Sequence, residues 1–75
     1  MGKMISLVGN LGAITINSDY IYMLRMDFNV CDNSYDVVLY YKIDNYAMIH
    51  LANGDKDAMT RFYADASDKL VDSKS

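Results

Sequence analysis

The feature that most constrains this chain is the alternation of apolar and polar side chains in its middle. From 20 to 30 every even position is apolar, while the odd positions include Arg25, Asp27 and Asn29. From 35 to 43 the odd positions are apolar. Successive side chains of a strand point to opposite faces, so a period of two predicts two long strands, Tyr20 to Val30 and Tyr35 to Ile43.

Turn residues between these segments predict a meander. We expect loops at 31–34 and 44–45 and a last strand from Tyr46 to Ala52. Both loops place the apolar sets on one shared face, as pairing requires when that face is buried. The predicted cross-strand pairs are Val30–Tyr35, Phe28–Val37, Met26–Leu39, Leu24–Tyr41, Tyr41–Met48, Leu39–His50 and Arg25–Tyr40.

The ends of the chain complete the predicted fold. Met4 to Val8 and Ala13 to Ile16 are short strands around a Gly-Asn-Leu-Gly turn, and a further turn follows at 17–19. From 55 to 72 apolar residues recur every three or four positions, which predicts a helix; the alternative is a sixth strand at 57–63. We therefore expect one domain, 1–75. It is mainly β, a small barrel or curled antiparallel sheet of about five strands (strands within 4–52), with a C-terminal helix at about 55–72.

Size and composition narrow the physical state. A chain of 75 residues buries little surface and is marginally stable unless something reinforces it. One cysteine cannot form an intramolecular disulfide, and one cysteine and one histidine cannot supply a four-ligand zinc site without carboxylates. We expect no cofactor and no metal, and homo-oligomerisation as the source of stability. The net charge of −3 disfavours indiscriminate binding to nucleic acid or anionic membranes.

The second face of the predicted meander carries an apolar patch. The predicted pairing collects Val38, Ile49 and Leu51 there, and one helix cannot cover both faces. A contiguous exposed apolar patch usually marks an interface. Three interpretations stay open: a barrel whose strands pair between subunits, contact with another protein, or coverage by the two N-terminal strands.

Basic and aromatic residues also gather on that face. Arg25 is predicted opposite Tyr40, with Lys42 and Tyr22 nearby in sequence. Such interleaving can stack and clamp single-stranded RNA. The alternative is an exposed cation–π pair that stabilises the sheet by about 0.5–1 kcal/mol.

No catalytic constellation is recognisable, so we do not expect an enzyme. His50 is predicted to be buried and hydrogen-bonded on the apolar face, with no nucleophile beside it. Cys31 is predicted to be an exposed thiol in a turn. No apolar run reaches the roughly 20 residues needed to span a bilayer, and the N-terminal segment is interpreted as strands, so a cytoplasmic protein without a membrane partner is expected.

The strand pattern of residues 4–52, with long central strands, resembles the Sm/LSm-type small β-barrel. It is also similar to short Asp/Asn/Tyr-rich proteins of marine cyanophage origin with that fold. The resemblance implies a ring-forming homo-oligomer joined through edge strands, RNA binding, and the host cytoplasm as its location. In this chain the helix follows the strands, and the Asp…Met-Asn and Arg-Gly motifs of that family do not occur. No RNA-contacting residue is therefore assigned from the resemblance. The alternative function is an adaptor or regulatory factor that docks on a host protein.

Overall fold

The chain forms two antiparallel sheets and one helix. A computed structural model describes residues 2–74, with the backbone alone for residue 74. The elements are β1 (Met4–Val8), β2 (Ala13–Asn17), a 3-10 turn (Ser18–Tyr20), β3 (Ile21–Asn29), β4 (Ser34–Lys42), β5 (Tyr46–Gly54) and α1 (Lys56–Lys74). Strands β1 and β2 form one sheet, and the other has the order β3–β4–β5. The predicted class, mainly β with a C-terminal helix, is confirmed. The alternative strand at 57–63 is wrong, because α1 is continuous through it.

The core lies on one face of the three-stranded sheet. Leu39 and Leu51 are fully buried there, and both the β1–β2 hairpin and α1 pack against them. Leu24 and Met26 of β3 also contact this core. The residues buried in the larger cluster are Ile5, Leu7, Ile16, Ile21, Leu39, Leu51 and Ala66.

The β3–β4 hairpin is displaced by two residues from the predicted pairing. Met26 pairs with Val37 and Leu24 with Leu39, so the predicted pairs of this hairpin, Arg25–Tyr40 included, are wrong. The turn occupies 30–33, one position earlier than predicted. Asn29 starts it by accepting a hydrogen bond from Cys31 N (3.0 Å), and Asn33 ends it with φ 53°. A shift of two equals the side-chain period, so each residue paired in this way keeps its face.

Near its turn, the β4–β5 hairpin is displaced by one residue from the predicted pairing. This displacement exchanges the two faces of β5. Three residues, 43–45, make the connection, and Tyr40 pairs with Met48 and Leu39 with Ile49. The predicted pairs Tyr41–Met48 and Leu39–His50 are therefore wrong. An irregularity between Val37 and Val38 leaves an extra residue in β5. His50 consequently pairs with Val38 and is exposed, which corrects its predicted burial.

The same displacement removes the predicted apolar patch. Leu51 is fully buried in the core, and Ile49 is half-buried against it. Val38 lies in the central strand between Arg25 and His50 and is only 3% exposed. The prediction that Val38, Ile49 and Leu51 form an exposed patch is wrong, because the one-residue displacement pairs Ile49 with Leu39 on the core face, and Leu51, the extra residue of β5, is buried in the core.

The β1–β2 turn docks on the outer edge of β5. Leu11 N and Gly12 N both donate to Leu51 O, at 3.0 and 3.2 Å. The predicted glycine-rich turn is present, but no glycine in residues 2–74 has a positive φ. Glycine is needed at position 9 for another reason, because a Cβ there would overlap the Leu51 carbonyl. We call this contact, made by Gly9–Gly12 on Leu51 and Asn53, the β5 latch.

Candidate nucleic-acid interface

Three tyrosines from three neighbouring strands meet on the outer face of the sheet, opposite the core. They are Tyr22 of β3, Tyr40 of β4 and Tyr46 of β5, and we call them the tyrosine cluster. Tyr22 reaches this face through an irregularity in β3. Ile21 pairs with Tyr41 and Met23 with Tyr40, which leaves Tyr22 as an extra residue. Such a bulge re-aims a side chain, and here Tyr22 contacts Tyr40 instead of the core.

The rings of the cluster pack closely on one another. The ring centroids of Tyr22 and Tyr40 are 6.0 Å apart with a tilt of 51°, and those of Tyr22 and Tyr46 are 5.2 Å apart and nearly perpendicular. These are the separations and edge-to-face geometries that aromatic pairs prefer. The three rings therefore stabilise one another at the surface of the sheet.

Much of this aromatic surface faces solvent. Tyr46 is 68% exposed and Tyr22 53%, while Met48, on the same face, is 50% exposed. Together with Tyr40 and Ala47 they line a shallow cleft of about 240 Å³. None of the three tyrosines belongs to the hydrophobic clusters of the core. The cleft is thus a surface feature that the folded chain leaves accessible.

Two cations flank the cluster. Lys42 Nζ lies 4.7 Å from the ring centroid of Tyr46, in cation–π contact. Arg25 Nε donates to Asp27 Oδ1 at 2.9 Å. This hydrogen bond, the charge of Asp27 and the nearby Tyr40 raise the pKa of Arg25.

The structure brings the predicted residues Arg25, Tyr40 and Lys42 to one face. Arg25 pairs with Val38, and positions 38, 40 and 42 alternate along β4 and so share a face. Sequence reasoning missed Tyr46 and assigned Tyr22 to the buried face. Tyr46 directly follows a turn, and no alternation pattern indicated its face. No sequence signal marks the bulge that turns Tyr22 outward. The high tyrosine content, seven residues, was the one available clue.

The far end of the same face is acidic. Asp27 and Asp36 lie directly opposite each other on β3 and β4. Each carboxylate has one donor: Arg25 for Asp27, and for Asp36 the side-chain amide of Asn53, whose Nδ2 donates at 2.6 Å. The outer face therefore has the tyrosines and Lys42 at one end and two carboxylates at the other, with Arg25 ion-paired to one of these carboxylates, Asp27.

Other reactive side chains are dispersed. Cys31 is an exposed free thiol in the 30–33 turn, as predicted. Within residues 2–74, no three His, Cys, Asp or Glu side chains are grouped so that they could hold a metal ion. The helix in that range, α1, is not apolar enough to cross a membrane.

Comparison of the chain with protein-family models, with curated proteins and with solved structures finds no match. The resemblance to Sm/LSm barrels therefore stays a prediction based on the strand pattern.

Proposed function

We propose that this protein binds single-stranded RNA, with the tyrosine cluster as a stacking surface and Lys42 and Arg25 as phosphate ligands. The observation that carries the proposal is the exposure of Tyr22 and Tyr46 in one cleft outside the core, beside Lys42. Stacking of a base on an aromatic side chain contributes about 1–3 kcal/mol and tolerates any base sequence. The resemblance to Sm/LSm proteins supports RNA as the polymer.

The charge pattern predicts weakly salt-dependent binding. The net charge is −3, so attraction to phosphates is local to Arg25 and Lys42. Each neutralised phosphate of a single strand contributes about −0.7 to the slope of log K against log salt, so two contacts predict a slope of about −1.4. Stacking then accounts for most of the affinity.

Fluorescence anisotropy with labelled oligouridylate, oligoadenylate and an RNA hairpin tests the proposal. Tyr46→Ala should weaken binding of the single strands at least tenfold, because truncation removes a ring that the core does not use. Tyr20→Ala is the matched control, since Tyr20 is 46% exposed but lies outside the cluster. Lys42→Ala should reduce the salt slope by about 0.7, whereas Lys56→Ala, at the start of α1, should leave it unchanged.

Two results would overturn RNA binding. One is the absence of any anisotropy change at low salt. The other is an equal effect of the Tyr46 and Tyr20 substitutions. Single-stranded DNA of the same sequence shows whether the 2′-hydroxyl contributes to recognition.

A second candidate function is that of an adaptor, which binds another protein through the same face. Tyrosine and methionine are enriched at protein interfaces, and Tyr22, Tyr46 and Met48 form a contiguous exposed group here. We propose this group as the adaptor surface, because Leu51 and Ile49 of the patch predicted from the sequence lie in or against the core. The adaptor function would be favoured if the protein captures one defined host protein, if Tyr46→Ala abolishes this capture, and if the protein does not bind RNA.

A homo-oligomeric ring is the third part of the proposal. It is supported by the small size of the chain and by the number of large apolar side chains at the surface. Multi-angle light scattering at micromolar concentration tests it, and a monomer mass under these conditions would overturn it.

A further inference from the structure

The dimensions of the tyrosine cluster limit what it can bind. Tyr22 and Tyr46 belong to strands separated by β4, and strands lie about 4.8 Å apart, so their backbones are about 10 Å apart. Their ring centroids are nevertheless only 5.2 Å apart. The rings therefore lean towards each other above β4 and form a compact group at a shallow cleft, instead of a continuous platform for successive bases.

The cleft has room for one small planar group. Its volume of about 240 Å³ lies below the range of roughly 300–1,000 Å³ that is typical of sites for drug-sized ligands. Its walls are the rings of the cluster with Met48 and Ala47. A single nucleobase fits this description, because it presents an apolar π-face to aromatic and thioether groups.

Carboxylates lie beyond both ends of the tyrosine cleft along the strand direction, and they limit how far a chain of phosphates can extend. In one direction, Asp36 lies four residues from Tyr40, about 14 Å along β4, and Asp27 faces it. In the other direction, the 43–45 turn contains the exposed Asp44. Two cations lie between these carboxylates, Lys42 and Arg25, and Arg25 is already ion-paired with Asp27. A longer chain of phosphates along the sheet would therefore meet like charge at either end.

We propose that the tyrosine cleft receives one unpaired base, such as a strand terminus or an extruded nucleotide, and that the footprint ends within about two nucleotides. This inference rests on the proposed RNA binding and specifies its substrate. Tyr22, Tyr40 and Tyr46 contact the base, and Lys42 contacts the adjacent phosphate.

A length series of oligouridylates tests the footprint. Uridine monophosphate and the di-, tri-, hexa- and dodecanucleotides are measured as competitors of one labelled trinucleotide. Once corrected for the number of equivalent sites, affinity should level off at the di- or trinucleotide, with less than a threefold change beyond it. A rise of more than tenfold from the tri- to the dodecanucleotide would overturn the short footprint while leaving RNA binding intact. If no length competes and the labelled trinucleotide itself does not bind, the proposed function fails.

Neutralising the carboxylates that lie beyond the two ends of the cleft provides an independent test of the footprint. Asp44→Asn and Asp36→Asn should each strengthen binding of the dodecanucleotide at least threefold and change that of the dinucleotide by less than twofold. Asp57→Asn is the matched control, because Asp57 lies exposed in the first turn of α1, outside the sheet. Equal changes for short and long ligands would show that these carboxylates do not set the footprint.

Discussion

Asn10 and Asn53 join the two sheets through a pair of hydrogen bonds between a side chain and the backbone. Asn10 Nδ2 donates to Asn53 O at 2.8 Å, and Asn53 N donates to Asn10 Oδ1 at 2.9 Å. The amide group thus occupies the place that a neighbouring strand would take on the edge of β5. Edge strands carry unpaired backbone groups that promote association with other chains, and Asn10 covers one such position within the same molecule.

Asn10→Ala should destabilise the fold by about 1–3 kcal/mol, because two exposed hydrogen bonds of about 0.5–1.5 kcal/mol each are lost. Urea denaturation, monitored by circular dichroism, gives the free energy of unfolding. Asn45→Ala, in the exposed 43–45 turn, should change stability by less than about 0.5 kcal/mol. Equal losses for the two variants would contradict a specific role of Asn10.

Gly9→Ala should cost about 2–3 kcal/mol, because its methyl group would overlap the Leu51 backbone and force the β5 latch to move. Gly54→Ala is the matched control. A Cβ at position 54 would meet the flexible Met59 methyl group at 3.3 Å, so the loss there should stay below about 1 kcal/mol. Thermal and urea unfolding of both variants measure the difference. A Gly9 variant as stable as the Gly54 variant would show that the latch accommodates a side chain.

Asp55→Ala should destabilise α1 by about 1 kcal/mol, because Asp55 caps the helix. Its Oδ1 accepts a hydrogen bond from Ala58 N at 2.7 Å, and its carbonyl accepts one from Met59 N at 3.0 Å. Asp55→Ser keeps a capping oxygen and should retain most of the stability. Helicity at 222 nm and the urea midpoint are the measurements, and a serine variant as unstable as the alanine variant would argue against capping.

Asn33→Gly should be neutral or slightly stabilising, because Asn33 has φ 53° and glycine adopts this conformation without steric cost. Asn33→Val should cost about 1–2 kcal/mol, since a branched side chain is strained in the left-handed region. The side chain is exposed, so lost packing does not explain a difference between the two variants. Urea midpoints that agree within error would show that the 30–33 turn relaxes freely.

The local elements of the fold could be predicted because they follow from periodicity and turn chemistry. Alternation located β3 and β4, glycine and asparagine located the turns, and the change to a spacing of three and four located α1. Arg25, Tyr40 and Lys42 could be placed on one face for the same reason, since a shift of two residues leaves faces unchanged.

The pairing of β5 could not be predicted from the sequence. As a result, the side chains that lie on each face of β5 could not be predicted either. Asp44 and Asn45 suggested a two-residue turn, yet neither has a positive φ, and Ile43 joins them in a three-residue connection. The extra residue in β5 then restores the pairing of Val37 with Ala52. Leu51 O, at this irregularity, accepts the hydrogen bonds of the β1–β2 turn, so the irregularity is in contact with a segment about 40 residues away in sequence.

The sequence by itself determined which segments are strands, where the chain turns and where the helix begins, because these depend on neighbouring residues. Only the tertiary structure decided which side chains face solvent in β5 and at Tyr22. One inserted residue exchanges the two faces of a strand at little local cost, and the choice is made by contacts with distant parts of the chain. The tyrosine cleft is a product of that choice, since both Tyr22 and Met48 reach the outer face through such single-residue displacements.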